Sequence, residues 1–247
     1  MTNRVALVTG GSYGIGAAAA ITLARDGCDV AVADLRRETL VDTVKSIEAL
    51  GRRAVAVELD LREQASIEAA VGAAVMELGT IDVLVNNAGV PQRKAALDVT
   101  RQDWSLVMEV NLAGTFFMSQ AAGRYWIESR KAGAIVSVAS THGIVGLAMS
   151  TTYGVSKAGV SHMTRMLAIE WAQYGIRVNA IAPASTETPT RTGLSDPSKR
   201  DLFLARIPLN RFGSVQDMAE AIAYLAGEKA GFVTGQTLVV DGGLTSQ

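Results

Sequence analysis

Short runs of Val, Ile, Leu and Ala alternate with amphipathic stretches along the whole chain, and this alternation restricts the fold more than any other feature. Seven runs read as strands, at residues 5–8, 29–34, 53–58, 81–86, 134–139, 177–182 and 237–240. They are apolar at successive positions, as strands buried on both faces must be. Helical periodicity fills residues 14–26, 38–50, 63–78, 101–131 (read as two helices) and 152–174, and a further helix starts near Val215. Such alternation gives a parallel sheet covered by helices on both faces. No linker, repeat or low-complexity segment divides the 247 residues, so a single domain, 1–247, is expected.

Residues 185–208 depart from the pattern, holding three of the five prolines among Thr, Ser and charged residues. They follow the sixth strand, and ligands in such sheets bind beyond the strands' carboxyl ends. A substrate lid is therefore expected there, with a disordered surface loop as the alternative.

Charge excludes several function classes. The net charge is −1, with both signs spread along the chain, so neither nucleic acid nor a membrane surface is expected as a partner. The lone cysteine, Cys28, rules out an intrachain disulfide and reads as a small buried residue. The two histidines, His142 and His162, have no cysteine at ligand spacing, so no metal site is expected. Residues 132–156 lack Asp, Glu, Lys and Arg but are broken by Gly, Ser and Thr. They read as a buried strand and an active-site loop, not a membrane span. The first residues carry no secretion signal, and a cytoplasmic location is expected.

The first strand runs into Thr9-Gly10-Gly11-Ser12-Tyr13-Gly14-Ile15-Gly16 and then an Ala-rich helix. Glycines in a strand-to-helix turn let the backbone approach a pyrophosphate, and the helix N-terminus offers unpaired N–H groups. The spacing is Gly-x-x-x-Gly-x-Gly, not the commoner Gly-x-Gly-x-x-Gly. Asp34 ends the second strand, eighteen residues beyond Gly16, where a carboxylate accepts ribose hydroxyls and repels a 2′-phosphate. Tyr13 precedes the second glycine, where an arginine would favour NADP. NAD is therefore the expected cofactor. Arg36 and Arg37 stand close enough in sequence to reach a phosphate, or else are solvated charges at a helix start. The fold class expected is α/β, a doubly wound, Rossmann-type parallel sheet of seven strands.

Tyr153 and Lys157 stand four apart in a helical stretch and so share a face. A phenol beside a fixed ammonium is a general acid/base for alcohols and ketones. Moving it from a pKa of about 10 to about 7 needs roughly 4 kcal/mol of differential stabilisation. Ser140, at the end of the fifth strand, is placed to hydrogen-bond a substrate oxygen.

Taken together, Thr9-Gly10-x3-Gly14-x-Gly16, Asp60-Leu61, Asn86-Asn87-Ala88-Gly89, Asn111, Ser140, Tyr153-x3-Lys157 and Asp241-Gly242-Gly243 resemble the short-chain dehydrogenase/reductase family over nearly the whole chain. The resemblance implies an NAD-preferring dehydrogenase of an alcohol or sugar. It implies catalytic roles for Asn111, Ser140, Tyr153 and Lys157, with Asn111 holding a water that links Lys157 to solvent. The cofactor set it implies is Gly10, Ser12, Tyr13, Gly14, Ile15 and Gly16, then Asp34, Leu35, Asp60 and Leu61. Asn87, Ala88, Gly89, Tyr153, Lys157, Pro183, Thr186 and Thr188 complete that set. Asp60 and Leu61 are expected to flank the adenine, and Asn87, Ala88 and Gly89 the ribose region. One departure stands out: Pro183 is followed by Ala184, where the family usually has glycine, and a Cβ there restricts φ.

His142, Gln92 and Ser185 are candidate substrate contacts, with Arg93 beside them, and this polar rim leans towards a sugar, polyol or hydroxy acid. The alternatives are a 3-oxoacyl-thioester reductase using NAD(P)H and, from another class, a non-catalytic dinucleotide sensor. A homotetramer is implied by the resemblance, through pairing of the long helices.

Overall fold

The computed structural model describes residues 4–188 and 197–246. Seven strands form one parallel sheet in the order β3-β2-β1-β4-β5-β6-β7. They are β1 (Val5–Thr9), β2 (Asp29–Asp34), β3 (Ala54–Glu58), β4 (Val83–Asn86), β5 (Gly133–Val138), β6 (Ile176–Pro183) and β7 (Thr237–Val240). The expected strands are all present, with ends shifted by one or two residues.

Alternate side chains of the central strands feed two cores. Val5 and Leu7 point to one face, against α3 (Gln64–Leu78), α5 (Thr115–Ser129) and α6 (Thr151–Trp171). Ala6 and Val8 point to the other, against α1 (Gly14–Arg25), α2 (Val41–Glu48) and α8 (Val215–Ala226). The continuous apolar strands thus follow from burial on both faces. The strand order reverses at β1 and β4, and the crevice beyond their carboxyl ends is where such sheets take ligands.

Three local features shape the site. The stretch 38–50 opens with a 3₁₀ turn, Arg37–Leu40, before α2. The stretch 101–131 forms the two helices expected, α4 (Arg101–Met108) and α5, joined by a π-helical turn, Glu109–Gly114. Thr115 Oγ1 donates to the Asn111 carbonyl across this turn at 2.8 Å. A Cβ on Gly114 would lie 2.6 Å from Leu61 Cβ, so glycine lets the turn press against the loop after β3. Third, part of the polar segment 185–208 is helical: α7 spans Pro197–Leu204, with proline at its first position, where no N–H is missed. Residues 189–196 of the expected lid lie outside the described residues. Among the described residues no helix is long and apolar enough to cross a membrane, and no cluster of metal-ligating side chains occurs.

Candidate active site

The β1–α1 turn is held from beneath by β4. Thr9 Oγ1 accepts the backbone N–H groups of Asn87 and Ala88, both at 3.1 Å. Asn87 Nδ2 donates to the carbonyls of Thr9 and Gly10, at 3.0 and 2.9 Å. Gly10 has φ +66°, and a Cβ on it would lie 2.7 Å from Ala88 Cα. A Cβ on Gly16 would lie 2.1 Å from the Gly10 carbonyl oxygen. Side chains are therefore excluded from this turn, and α1 begins there with no side-chain cap and no acidic residue in its first turn. A diphosphate fits this cradle: free N–H groups, a favourable helix dipole and close backbone approach.

A cleft of about 560 Å³ runs along this turn and past the ends of β2, β3 and β4. It gathers Gly10, Tyr13, Gly14, Ile15, Asp34 and Leu35 with Asp60, Leu61, Asn87, Ala88 and Gly89, and reaches Tyr153, Lys157 and Thr188. Ser12 and Gly16 support it from behind. Ser12 Oγ donates to Asp34 Oδ2 at 2.6 Å, and Leu35 N donates to Oδ1 at 2.8 Å, which fixes the carboxylate. Two expected contacts differ in detail. Asn87 turns its amide into the glycine turn and not towards a ribose, because the Thr9 and Gly10 carbonyls need a donor there. Asp60 is gripped by Arg62, whose Nε and NH2 reach its carboxylate at 2.9 and 2.5 Å. The Arg62 hydrogen bond holds the Asp60 pKa below its ordinary value. Arg62 also lines the cleft and escaped the sequence reading, since Asp-x-Arg is the pattern of any local surface ion pair.

A second cavity of about 520 Å³ adjoins the first. Ser140, His142, Gln92, Pro183, Ser185 and Thr186 line it, and Ile15, Val138, Tyr153 and Thr188 belong to both spaces. Tyr153 thus stands where the two meet. Phe203, from α7, closes one wall and was not foreseen, because the segment read as polar loop. Ala184 also lines this cavity. Its N–H donates to the Val240 carbonyl at 3.1 Å, and it is not among the non-glycine residues with positive φ, so the alanine carries no backbone strain.

Close packing brings the Ser140 turn onto α6. Ser140 Oγ accepts the His142 N–H at 3.1 Å and starts the turn Thr141–Gly143. A Cβ on Gly143 would lie 2.7 Å from the Ala158 nitrogen, and one on Gly154 would lie 2.8 Å from the His142 carbonyl oxygen. The two glycines let Ser140 and His142 approach Tyr153, whose ring meets that of His142 edge-on at 5.9 Å.

Lys157 lies one turn along α6, its Nζ 5.8 Å from the centre of the Tyr153 ring. Only 5% exposed, it donates to the Val138 carbonyl at 2.7 Å. Burial lowers its pKa from 10.5 to about 8. Asn111 is fully buried in the π-helical turn. Its Oδ1 accepts Val90 N at 2.7 Å, and its Nδ2 donates to Val90 O and Ser156 Oγ at 3.0 and 3.2 Å. The side-chain amide is committed to bracing the chain after Gly89, because a buried amide must find partners and Val90 offers both kinds.

A family model described as enoyl-(acyl carrier protein) reductase matches residues 10–245. The 2-dehydro-3-deoxy-D-gluconate 5-dehydrogenase of Escherichia coli (strain K12) is 39% identical, over 98% of this chain and 96% of that protein. The 3-oxoacyl-(acyl-carrier-protein) reductase FabG of Thermotoga maritima is also 39% identical, over 99% and 98%. The crystal structure of a short-chain type dehydrogenase/reductase from Mycobacterium marinum superposes with a TM-score of 0.93 at 31% identity, covering 99% of this chain and 96% of that one. The chain belongs to the short-chain dehydrogenase/reductase family. It is thereby an oxidoreductase of alcohol groups that takes a nicotinamide dinucleotide.

The buried lysine gives stability a pH dependence of defined sign. Below about pH 8 Lys157 is charged in both states, and the folded state alone bears the desolvation cost. Between pH 8 and 10.5 the unfolded chain binds more protons, so stability rises with pH across that window. Lys157→Met is expected to raise unfolding stability at pH 7 by up to about 3 kcal/mol. Urea unfolding should show that gain shrinking towards pH 10. A loss of stability at pH 7 that stays constant with pH would contradict it.

Proposed function

We propose that the protein is an NAD-dependent dehydrogenase of a secondary alcohol, with a sugar, polyol or hydroxy acid as substrate class. The observation that carries this reading is the position of Tyr153 at the junction of the dinucleotide cleft and the second cavity. The dinucleotide supplies the hydride acceptor or donor. Tyr153 takes the hydroxyl proton in oxidation and returns it in reduction. Ser140 orients the substrate oxygen. Lys157 provides the positive charge that favours the phenolate, and it holds the nicotinamide ribose. Asn111 positions Val90 and so the wall beside Lys157. Asp34, fixed by Ser12, selects NAD by accepting ribose hydroxyls and repelling a 2′-phosphate. Pro183, Thr186 and Thr188 bound the nicotinamide end.

The segment 185–208 acts as a substrate lid in this reading, supported by Phe203 in the cavity wall and by Arg200, which ties α7 to Glu187 at 2.8 Å. A second reading, reduction of a 3-oxoacyl thioester, is favoured by the likeness to the Thermotoga reductase. We place the protein in the cytoplasm and assemble it as a homotetramer. Exposed apolar residues on α6 (Met166 and Ile169) and on the edge strand β7 (Leu238 and Val239) support that assembly.

A screen of sugars, polyols and hydroxy acids with NAD and with NADP tests the function. NAD should support at least tenfold higher kcat/KM, and Tyr153→Phe should remove nearly all turnover while NADH still binds. Turnover within tenfold of wild type in that variant would sink the assignment. Light scattering should give the mass of four chains, and a mass of one chain would refute the assembly.

A further inference from the structure

We infer that the second cavity is an anion site in which Arg93 holds a carboxylate of the substrate, a claim that rests on the dehydrogenase reading and narrows it to hydroxy acids. Arg93 is the one Asp, Glu, Lys or Arg side chain among the described residues that line this cavity. Glu187, the acidic residue among the described residues between β6 and α7, has its carboxylate engaged by Arg200 at 2.8 Å. Lys157 adds a second positive charge beneath Tyr153. Among the described residues the cavity lining thus carries a positive charge and no carboxylate to compete for the guanidinium.

The short stretch that carries Arg93 is fixed at both ends. Val90 is clamped by Asn111 through both its N–H and its C=O. Lys94 donates its backbone N–H to the Met149 carbonyl at 2.8 Å and its Nζ to Asp103 at 2.6 Å. The backbone that carries Arg93 is thereby held in place, and its side chain stands exposed at the cavity wall. Arg93 has neither a hydrogen bond nor an ion pair to a described residue, so its donors are available to a planar, two-oxygen acceptor. The rest of the wall includes Val138, Leu147 and Phe203. A carboxylate entering such a space loses hydration and needs a charged partner, whereas a neutral hydroxymethyl group gains little from one. The cavity thus discriminates by charge at one end and presents the carbinol carbon to Tyr153 and Ser140 at the other.

Binding of matched pairs to the enzyme–NADH complex tests the claim without turnover. D-gluconate is compared with D-glucitol, and 3-hydroxybutyrate with 1,3-butanediol, by calorimetry. At least one acid should bind tenfold or more tighter than its neutral partner, and the preference should shrink as salt rises. Arg93→Gln should abolish the preference with NADH affinity unchanged, and Arg93→Lys should restore part of it. Equal binding of acid and alcohol in both pairs, or a preference that survives Arg93→Gln, overturns the inference. An Arg93-dependent preference in a protein that oxidises no alcohol would count against the dehydrogenase reading alone.

Discussion

A lysine ammonium held out of water beneath a tyrosine ring is the constraint on which the site is built. Lys157 is almost wholly shielded from solvent, and the fold supplies the Val138 carbonyl from the end of β5 as a partner for its ammonium. That carbonyl exists at that point because β5 stops there and the chain turns at Ser140. The charge is buried at a net cost to stability; in a partly dry site, a cation near a phenol acts through a lower effective dielectric than in water. The space at Gly89 is tight for the same reason, since a Cβ there would press on Asn111 Oδ1 at 3.1 Å and touch Lys157 Nζ at 3.5 Å.

Two clamps then align the halves of the site. Thr9 and Asn87 tie the phosphate-type turn of β1 to β4, across the point where strand order reverses. Asn111 ties the chain beyond Gly89 to the π-helical turn between α4 and α5. Both clamps use one side-chain amide or hydroxyl against paired backbone groups, so each fixes a loop without a regular element. The dinucleotide cleft and the second cavity meet at Tyr153 because these two loops emerge side by side.

The sheet was legible in the sequence because strands buried on both faces leave runs dominated by Val, Ile, Leu and Ala, as in Val5–Thr9 and Val83–Asn86. The grouping of Ser140, Tyr153 and Lys157 was legible because the three must hold a fixed spacing to share one turn and one helix face. Their partners were less visible. The engagement of Lys157 with Val138 is a backbone contact, and no residue type encodes it. Asn111 could be named, but its clamp on Val90 depends on a π-helical turn that periodicity does not announce. Arg62 and Phe203 were missed for opposite reasons: one looks like an ordinary surface charge, and the other sits in a segment whose polar average hides one aromatic.

In the proposed reaction the two spaces meet at Tyr153 so that hydride passes directly between substrate carbon and nicotinamide. The alcohol that the enzyme oxidises fastest, deuterated at its carbinol carbon, is the probe for that transfer. One deuterium should be retained at nicotinamide C4, on a single face, for each NADH formed. Deuterium lost to solvent, or spread over both faces, would contradict it.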